Sequence, residues 1–240
     1  MKTIIVTGDS RGLGAEVVQT LLNGQNKVIG LSRSESDDVS SFEKKYPNLY
    51  EHIDFDLSNP SRIGNLYKKE LKNWGPIYGL VNNAAMPYDD LVTNARVEDL
   101  NKLFKINTLS PILLTKAVLR DMILNHTEGS IVHVSSVSTA TGYKGLSMYG
   151  ATKGALESFS LGVAREWGKR GIRSNCIAPG FMNTKMTSTL DEKQKNRIYD
   201  RTGLGEPTNI QSVAAIVEFL LSDASSTITG EVIRNDAGTL

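Results

Sequence analysis

KTIIVTGDSRGLGAEVVQTLLNG, residues 2–24, is the stretch whose reading decides the fold. Lys2 to Val6 is a short apolar run rich in β-branched residues, the pattern of a strand buried on both faces. It passes directly into Gly8, Gly12 and Gly14, and then into AEVVQTLLNG, which has helical periodicity. Strand, glycine turn and helix together make a phosphate-binding arrangement. Glycines let the backbone turn sharply and approach a pyrophosphate, and the helix N-terminus favours an anion. The spacing is Gly-x3-Gly-x-Gly rather than Gly-x-Gly-x2-Gly. Glycines also serve ordinary tight turns, but the position of these, directly after the first strand, points to a nucleotide.

The same alternation continues along the chain. Further strands are expected at Lys27 to Leu31, Leu49 to Ile53, Ile77 to Val81, Ser130 to Val134, Ile172 to Ala178 and Glu231 to Arg234. Helical patterns fall between them: Asp38 to Tyr46, Ser58 (as cap) to Trp74, Val97 to Leu124, Met148 onward, and Asn209 to Leu221. Alternation of this kind predicts a doubly wound parallel α/β sheet of about seven strands, with helices on both faces, in one domain over residues 1–240. Ligands of such sheets bind outside the C-terminal strand ends. Thr7, Arg33, Asp56, Asn82, Ser136 and Pro179 all fall there in this reading. Residues 181–207, with Met182, Met186 and Leu190, read as a long irregular connection, a substrate lid. Asn107 and Pro111 inside the long helical pattern predict a local distortion.

The catalytic candidates lie in SVSTATGYKGLSMYGATK, residues 136–153. Tyr149 and Lys153 are four apart on a helix and share one face. A phenol titrates near 10, and a nearby cation lowers that value, so Lys153 is expected to make Tyr149 a better proton donor at neutral pH. Ser136, at a strand end, can hold a substrate oxygen. After the second strand stand Ser32 and Arg33, with no carboxylate at the first loop position. Arginine there, with Arg11 in the glycine turn, suits a 2′-phosphate and favours NADP(H). Both arginines also fit plain solvated charges, and Glu35 and Asp37 keep NAD open. The amides of Asn82 and Asn83 can bond backbone groups or a ribose edge, or serve an ordinary turn.

Composition excludes several classes. A net charge of +1 gives no electrostatic case for nucleic acid or an anionic membrane. No run reaches the length of a membrane span, and MKTIIVTGDS is too short an apolar run for a signal peptide. The lone cysteine, Cys176, allows no intramolecular disulfide. Its place within an apolar strand reads as an inert core thiol. His52, His126 and His133 have no metal-ligand spacing, and His133, alternating within a strand, reads as packed. A cytoplasmic protein without a metal is expected.

These motifs, TGDSRGLG, Asp56, NNAA (82–85), Asn107, Ser136, YGATK and PGFMNT (179–184), resemble the short-chain dehydrogenase/reductase family over essentially the whole chain. GKRGIRSNCIAPGFMNTKM, with TGLGEPTNI after it, is most similar to the bacterial 3-oxoacyl-[acyl-carrier-protein] reductase branch. The resemblance implies a Rossmann fold and NADP(H)-dependent reduction of a ketone, most specifically of a 3-oxoacyl thioester. Tyr149 would be the general acid, Lys153 would tune it and hold the nicotinamide ribose, Ser136 would bind the carbonyl oxygen, and Asn107 a relay water. Gly8, Ser10, Arg11, Gly12, Leu13 and Gly14 would carry the pyrophosphate end. Arg33, Asp56, Leu57, Asn82 and Ala84 would line the adenosine. Pro179, Gly180, Met182 and Thr184 would sit by the nicotinamide, Thr184 at its carboxamide. The family also implies a homotetramer or homodimer, and acyl carrier protein as a possible partner. Alternatives within the resemblance are an NADP-linked alcohol, sugar or steroid dehydrogenase and a non-catalytic NADP(H)-binding regulatory protein. Three departures stand out. Ala85 replaces a usual glycine, Asp236-Ala237-Gly238 replaces a DGG-like turn, and Asn125 to Glu128 lacks the basic residues expected to dock an acidic carrier.

Overall fold

A computed structural model describes residues 1–184, 187 and 190–240. Seven parallel strands form one sheet in the order β3-β2-β1-β4-β5-β6-β7. They are β1 (Thr3–Thr7), β2 (Lys27–Ser32), β3 (Tyr50–Asp54), β4 (Ile77–Asn82), β5 (Gly129–Val134), β6 (Ile172–Pro179) and β7 (Val232–Asn235). The chain reverses direction of travel across the sheet between β1 and β4, and this opens a crevice at their C-terminal ends. Strands β1, β5 and β6 are buried at every residue, as the middle of a parallel sheet must be, including the polar Arg173, Ser174 and Asn175 of β6, whereas the edge strand β7 alternates exposed and half-buried positions.

One face is covered by α1 (Gly12–Asn23), α2 (Asp37–Lys45) and α9 (Ile210–Leu221). Their Val17, Leu21, Val39, Phe42, Val217 and Leu220 pack on Ile4, Val6, Val28 and Val132. The other face is covered by α3 (Ile63–Lys69), α5 (Ser110–Leu124) and α7 (Ser147–Trp167), through Leu66, Leu114, Val118 and Val163 against Ile5, Ile29, Leu80 and Ile131. Asn209 caps α9 by accepting from the Ser212 N–H at 2.9 Å.

Three local readings change. The stretch from Ser58 to Trp74 is not one helix capped by Ser58. Pro60 opens a 3₁₀ turn, α3 spans only Ile63–Lys69, and Ser58 bonds Asp56 through both N–H and hydroxyl at 2.8 Å. Within 181–207, the residues Glu192–Tyr199 form a helix, α8, rather than irregular chain. A reciprocal capping box between Asp191 and Gln194 starts it, but it buries no residue, so there was no apolar stripe to read. Met186, assigned to the lid, lies outside the described residues. The long pattern from Val97 divides into α4 (Val97–Phe104), a π turn at Lys105–Leu109 and α5. The expected distortion is therefore present, with a clear cause. Pro111 has no N–H to give the Asn107 carbonyl four residues back, and the Ser110 N–H reaches the Lys105 carbonyl instead.

The C-terminal departure has an energetic consequence. Ala237 sits at φ +55, the left-handed region that a side chain disfavours. Ala237→Gly is expected to stabilise the fold by about 0.5–1 kcal/mol, the strain relieved less the extra freedom of the unfolded chain. Urea unfolding would read this as a higher midpoint at unchanged slope.

Candidate active site

The glycine turn is shaped by close approaches. Gly8 and Gly12 lie at φ +73 and +58, where only glycine is unstrained. A Cβ on Gly14 would overlap the Gly8 carbonyl, so α1 seats against the turn only without one. At Gly12 a Cβ would meet nothing nearer than Thr184 at 3.9 Å. It would instead fill the cradle between the turn and Thr184, the space that a pyrophosphate on a helix N-terminus needs. The residues therefore fit a dinucleotide. Thr7, at the end of β1, and Asn83, just after β4, brace the turn. The Thr7 hydroxyl accepts the Asn83 and Ala84 N–H groups at 3.0 Å, and the Asn83 amide donates to the carbonyls of Thr7 at 2.9 Å and Gly8 at 3.3 Å. Asn83 thus bonds backbone groups, one of the roles open to it from sequence.

Its neighbour is placed differently. Asn82 is buried, and its amide donates to Thr115 and to His133 Nδ1, both at 3.2 Å. Its Oδ1 is buried without a partner among the described residues. Arg11 and Arg33 are exposed, and neither makes an ion pair among the described residues. Ser10 is nearly buried in the turn and Leu13 is packed into the core beneath it. Asp56 is held below the usual carboxylate range, first by the Ser58 N–H. Leu57 is buried, and its carbonyl accepts from Ser110. Ala84 packs on the second core face. Beyond β6, the Pro179 carbonyl accepts from Val137 N–H at 3.1 Å, and Gly180 N–H donates to Asn235 at 2.9 Å. A Cβ on Gly180 would strike Thr208 and Asp236, so glycine is required where the chain leaves the sheet. Met182 packs against the first core face. Thr184 lies over Gly12, its N–H donating to the Thr187 hydroxyl at 3.0 Å.

The catalytic candidates gather where α7 meets the end of β5. Gly150 lets α7 approach the one-turn helix α6 (Ser138–Thr141) after β5, since a Cβ there would come within 2.9 Å of the Ser138 carbonyl. Lys153 is buried and its ammonium donates to the Val134 carbonyl at 2.7 Å, 5.6 Å from the Tyr149 ring centre. Burial pushes the ammonium down to about 8. The half-buried Tyr149 phenol is pushed up to about 12 by its own desolvation. That reverses the expected lowering, because desolvation by burial is the one cause acting on the phenol. Ser136 Oγ accepts the Ser138 N–H at 3.1 Å. Asn107 is fully buried; its side chain accepts the Met86 N–H at 2.8 Å, and donates to the Met86 carbonyl at 2.9 Å and to Thr152 at 3.2 Å. It thereby ties the chain after β4 to the helix carrying Tyr149.

Two positions escaped sequence reading. Glu157, one turn beyond Lys153 on α7, accepts from Ser135 and from Thr139 at 3.1 Å, clamping the Ser136 turn from both sides. Asp9 is fully buried beneath the glycine turn. Glu157 lies outside the quoted motifs and Asp9 sits inside one read for its glycines, and only the fold brings their partners near. Cys176 is buried and pushed up to about 12, and His133 is buried on β5, as the sequence pattern suggested. Among the described residues no group of three His, Cys, Asp or Glu could hold a metal, and no helix is long and apolar enough to cross a membrane.

A glycine turn after the first strand and a tyrosine–lysine helix beside the fifth are the parts of a nicotinamide-dependent oxidoreductase, and the comparisons agree. A family model described as enoyl-(acyl carrier protein) reductase matches residues 8–239. The 3-oxoacyl-[acyl-carrier-protein] reductase of Escherichia coli is 34% identical over 99% of this chain and 96% of its own length. Carbonyl reductase family member 4 of Xenopus laevis is 37% identical over 99% and 97%. A solved structure titled short chain dehydrogenase/reductase family protein has a TM-score of 0.87 at 26% identity, over 99% and 96% of the two chains. The chain belongs to the short-chain dehydrogenase/reductase family of NAD(P)-dependent oxidoreductases.

Proposed function

We propose that the protein uses NADPH to reduce a ketone to a secondary alcohol, with a 3-oxoacyl thioester as substrate. The observation that carries the reaction is Tyr149, a half-buried phenol that keeps its proton across the neutral range beside the buried Lys153 ammonium. Bound NADPH would supply the hydride for the carbonyl carbon. Tyr149 gives its proton to the carbonyl oxygen, Ser136 donates a hydrogen bond to the same oxygen, and Lys153 holds the nicotinamide ribose and favours the phenolate left behind. Asn107 fixes the distorted turn from which a relay water would be held. Support for the substrate comes from the bacterial relatives and from a cavity of about 380 Å³ lined in part by Leu91, Val92, Tyr143 and Leu146, apolar enough for an acyl chain. Residues 181–207 would close over it as a lid.

Support for NADP(H) comes from the two exposed arginines, Arg11 and Arg33, which make no ion pair among the described residues. Arg33→Ala is expected to weaken NADPH binding about tenfold or more, the worth of a charge-assisted hydrogen bond, and to leave NADH nearly unchanged. Parallel titrations with the two nucleotides check this. Purified protein with NADPH and a short 3-oxoacyl thioester, followed by loss of reduced-cofactor absorbance, tests the activity; no turnover would sink the substrate assignment.

One observation favours a broader carbonyl reductase. Residues 125–128, at the end of α5, carry no lysine or arginine to dock an acidic carrier. Equal turnover of a coenzyme A thioester and a simple ketone would support that reading. A cytoplasmic homotetramer or homodimer fits the exposed Phe104, Leu109 and Leu161 on the helices of one face, and sedimentation would give the number of subunits.

A further inference from the structure

A buried ionic group lies directly beneath the glycine turn. Asp9, between Gly8 and Ser10, is fully buried. Its Oδ2 accepts from the Tyr50 hydroxyl at 2.6 Å and from His52 Nδ1 at 2.8 Å. Both partners project from β3, and the β2 residue in register with His52 is Gly30. Any side chain at Gly30 would overlap the Asp9 carboxylate, so three elements are shaped around this one group. The pairing is incomplete, however. Asp9 Oδ1 and His52 Nε2 are buried without a partner among the described residues. A network present only to hold the fold together would be expected to use those atoms.

The charges facing His52 are all acidic: Asp9 from the turn, Glu43 from α2 and Asp54 from its own strand, while Tyr50 beside it is held neutral by burial and by Asp9. They favour the imidazolium, with the Asp9 hydrogen bond as the largest cause. A buried carboxylate under a phosphate-binding turn repels the anion above it unless a cation cancels it.

We propose that Asp9 and His52 are positioning residues that set cofactor preference: the His52 imidazolium neutralises Asp9 beneath the glycine turn, and so admits a nucleotide carrying the extra 2′-phosphate. This rests on the NADP(H) reading above. Loss of the His52 proton leaves an uncompensated negative charge there. NADPH, with the additional phosphate, feels it more than NADH.

The test measures dissociation constants of NADPH and NADH for the purified full chain, without substrate, by nucleotide fluorescence from about pH 7 to about pH 9. NADPH affinity is expected to fall about fivefold more than NADH affinity over that range, a change on the scale of one partly screened charge pair. Asp9→Asn should flatten the ratio, and His52→Gln should hold it at the high-pH value throughout. A ratio constant with pH in the unsubstituted protein, or one that varies equally in Asp9→Asn, overturns the proposal. The unsubstituted protein decides the matter even if both variants fail to fold. Tighter binding of NADH than NADPH at every pH would instead overturn the NADP(H) reading.

Discussion

Tyr149→Phe is expected to lower kcat about a thousandfold or more, with NADPH affinity and unfolding midpoint little changed. The phenol hydroxyl has no hydrogen bond to another described residue, so its removal leaves no buried group stranded. What is lost is the proton donor, worth about 10²–10⁴ in rate for a well-placed general acid. The ring contributes binding equally to ground and transition states, so the loss belongs in kcat rather than in KM. Burial holds the phenol near 12 in the free protein, so it does not lose its proton on the way to pH 9. Lys153, pushed down to about 8, does. An alkaline fall in kcat/KM is therefore expected to begin near pH 8 and to report the lysine. Stopped-flow and steady-state rates of the variant and a pH profile of the unsubstituted protein check both statements. Tyr149→Phe turnover within about tenfold of the original would remove Tyr149 from the mechanism.

Acid is expected to destabilise the fold through His133 before carboxylates titrate. His133 is fully buried on β5, and burial first, then Lys153, push it down to about 3. Its Nδ1 accepts from Asn82, which fixes the neutral form with the proton on Nε2. The unfolded chain takes up a proton near 6.5, whereas the folded chain refuses it until about 3. Between those values the unfolded state binds more protons. Stability is complete above 6.5 and falls as pH drops, at about 1.4 kcal/mol per pH unit. From pH 6.5 to 4.5 the loss is about 2–3 kcal/mol, a large part of the marginal stability of a domain. His52 does not offset it. Its pKa is raised, so its contribution is already complete below 6.5 and is lost only as pH rises. Asp56, lowered, acts below 3.8. Urea unfolding at the two pH values should show the drop, and His133→Asn should remove most of it. An equal slope in both proteins would assign the acid sensitivity elsewhere.

Much of this was legible because parallel sheets advertise themselves. Strands such as β1 and β2 are short apolar runs, and the residues at or just past strand ends, Thr7, Arg33, Ser136 and Pro179, are brought to one edge by topology alone. Tyr149 and Lys153 were legible because helical spacing is short-range. The state of that pair was not. The Lys153 ammonium goes to a strand carbonyl nineteen residues earlier in sequence, Val134, and the phenol's burial, which tertiary packing sets, pushes it up. Helix α8 was hidden because it buries nothing. Asn82 and Asn83 look alike in sequence, yet strand alternation sends one into the core and the other against the glycine turn. Asp9 was passed over inside a motif whose glycines drew the attention, and its partners lie 41 and 43 residues away.

The overlap between Gly30 and the Asp9 carboxylate reaches beyond this one molecule. A chain with this backbone holds either an acid at position 9 of the turn or a side chain in the middle of β2, but not both. Among related sequences the two positions should therefore change together, and an aspartate at 9 should be accompanied by glycine at 30 and by hydrogen-bond donors at 50 and 52. A lineage that gains bulk at 30 must first give up the acid, so that one step in β2 closes off a whole class of nucleotide-binding turns.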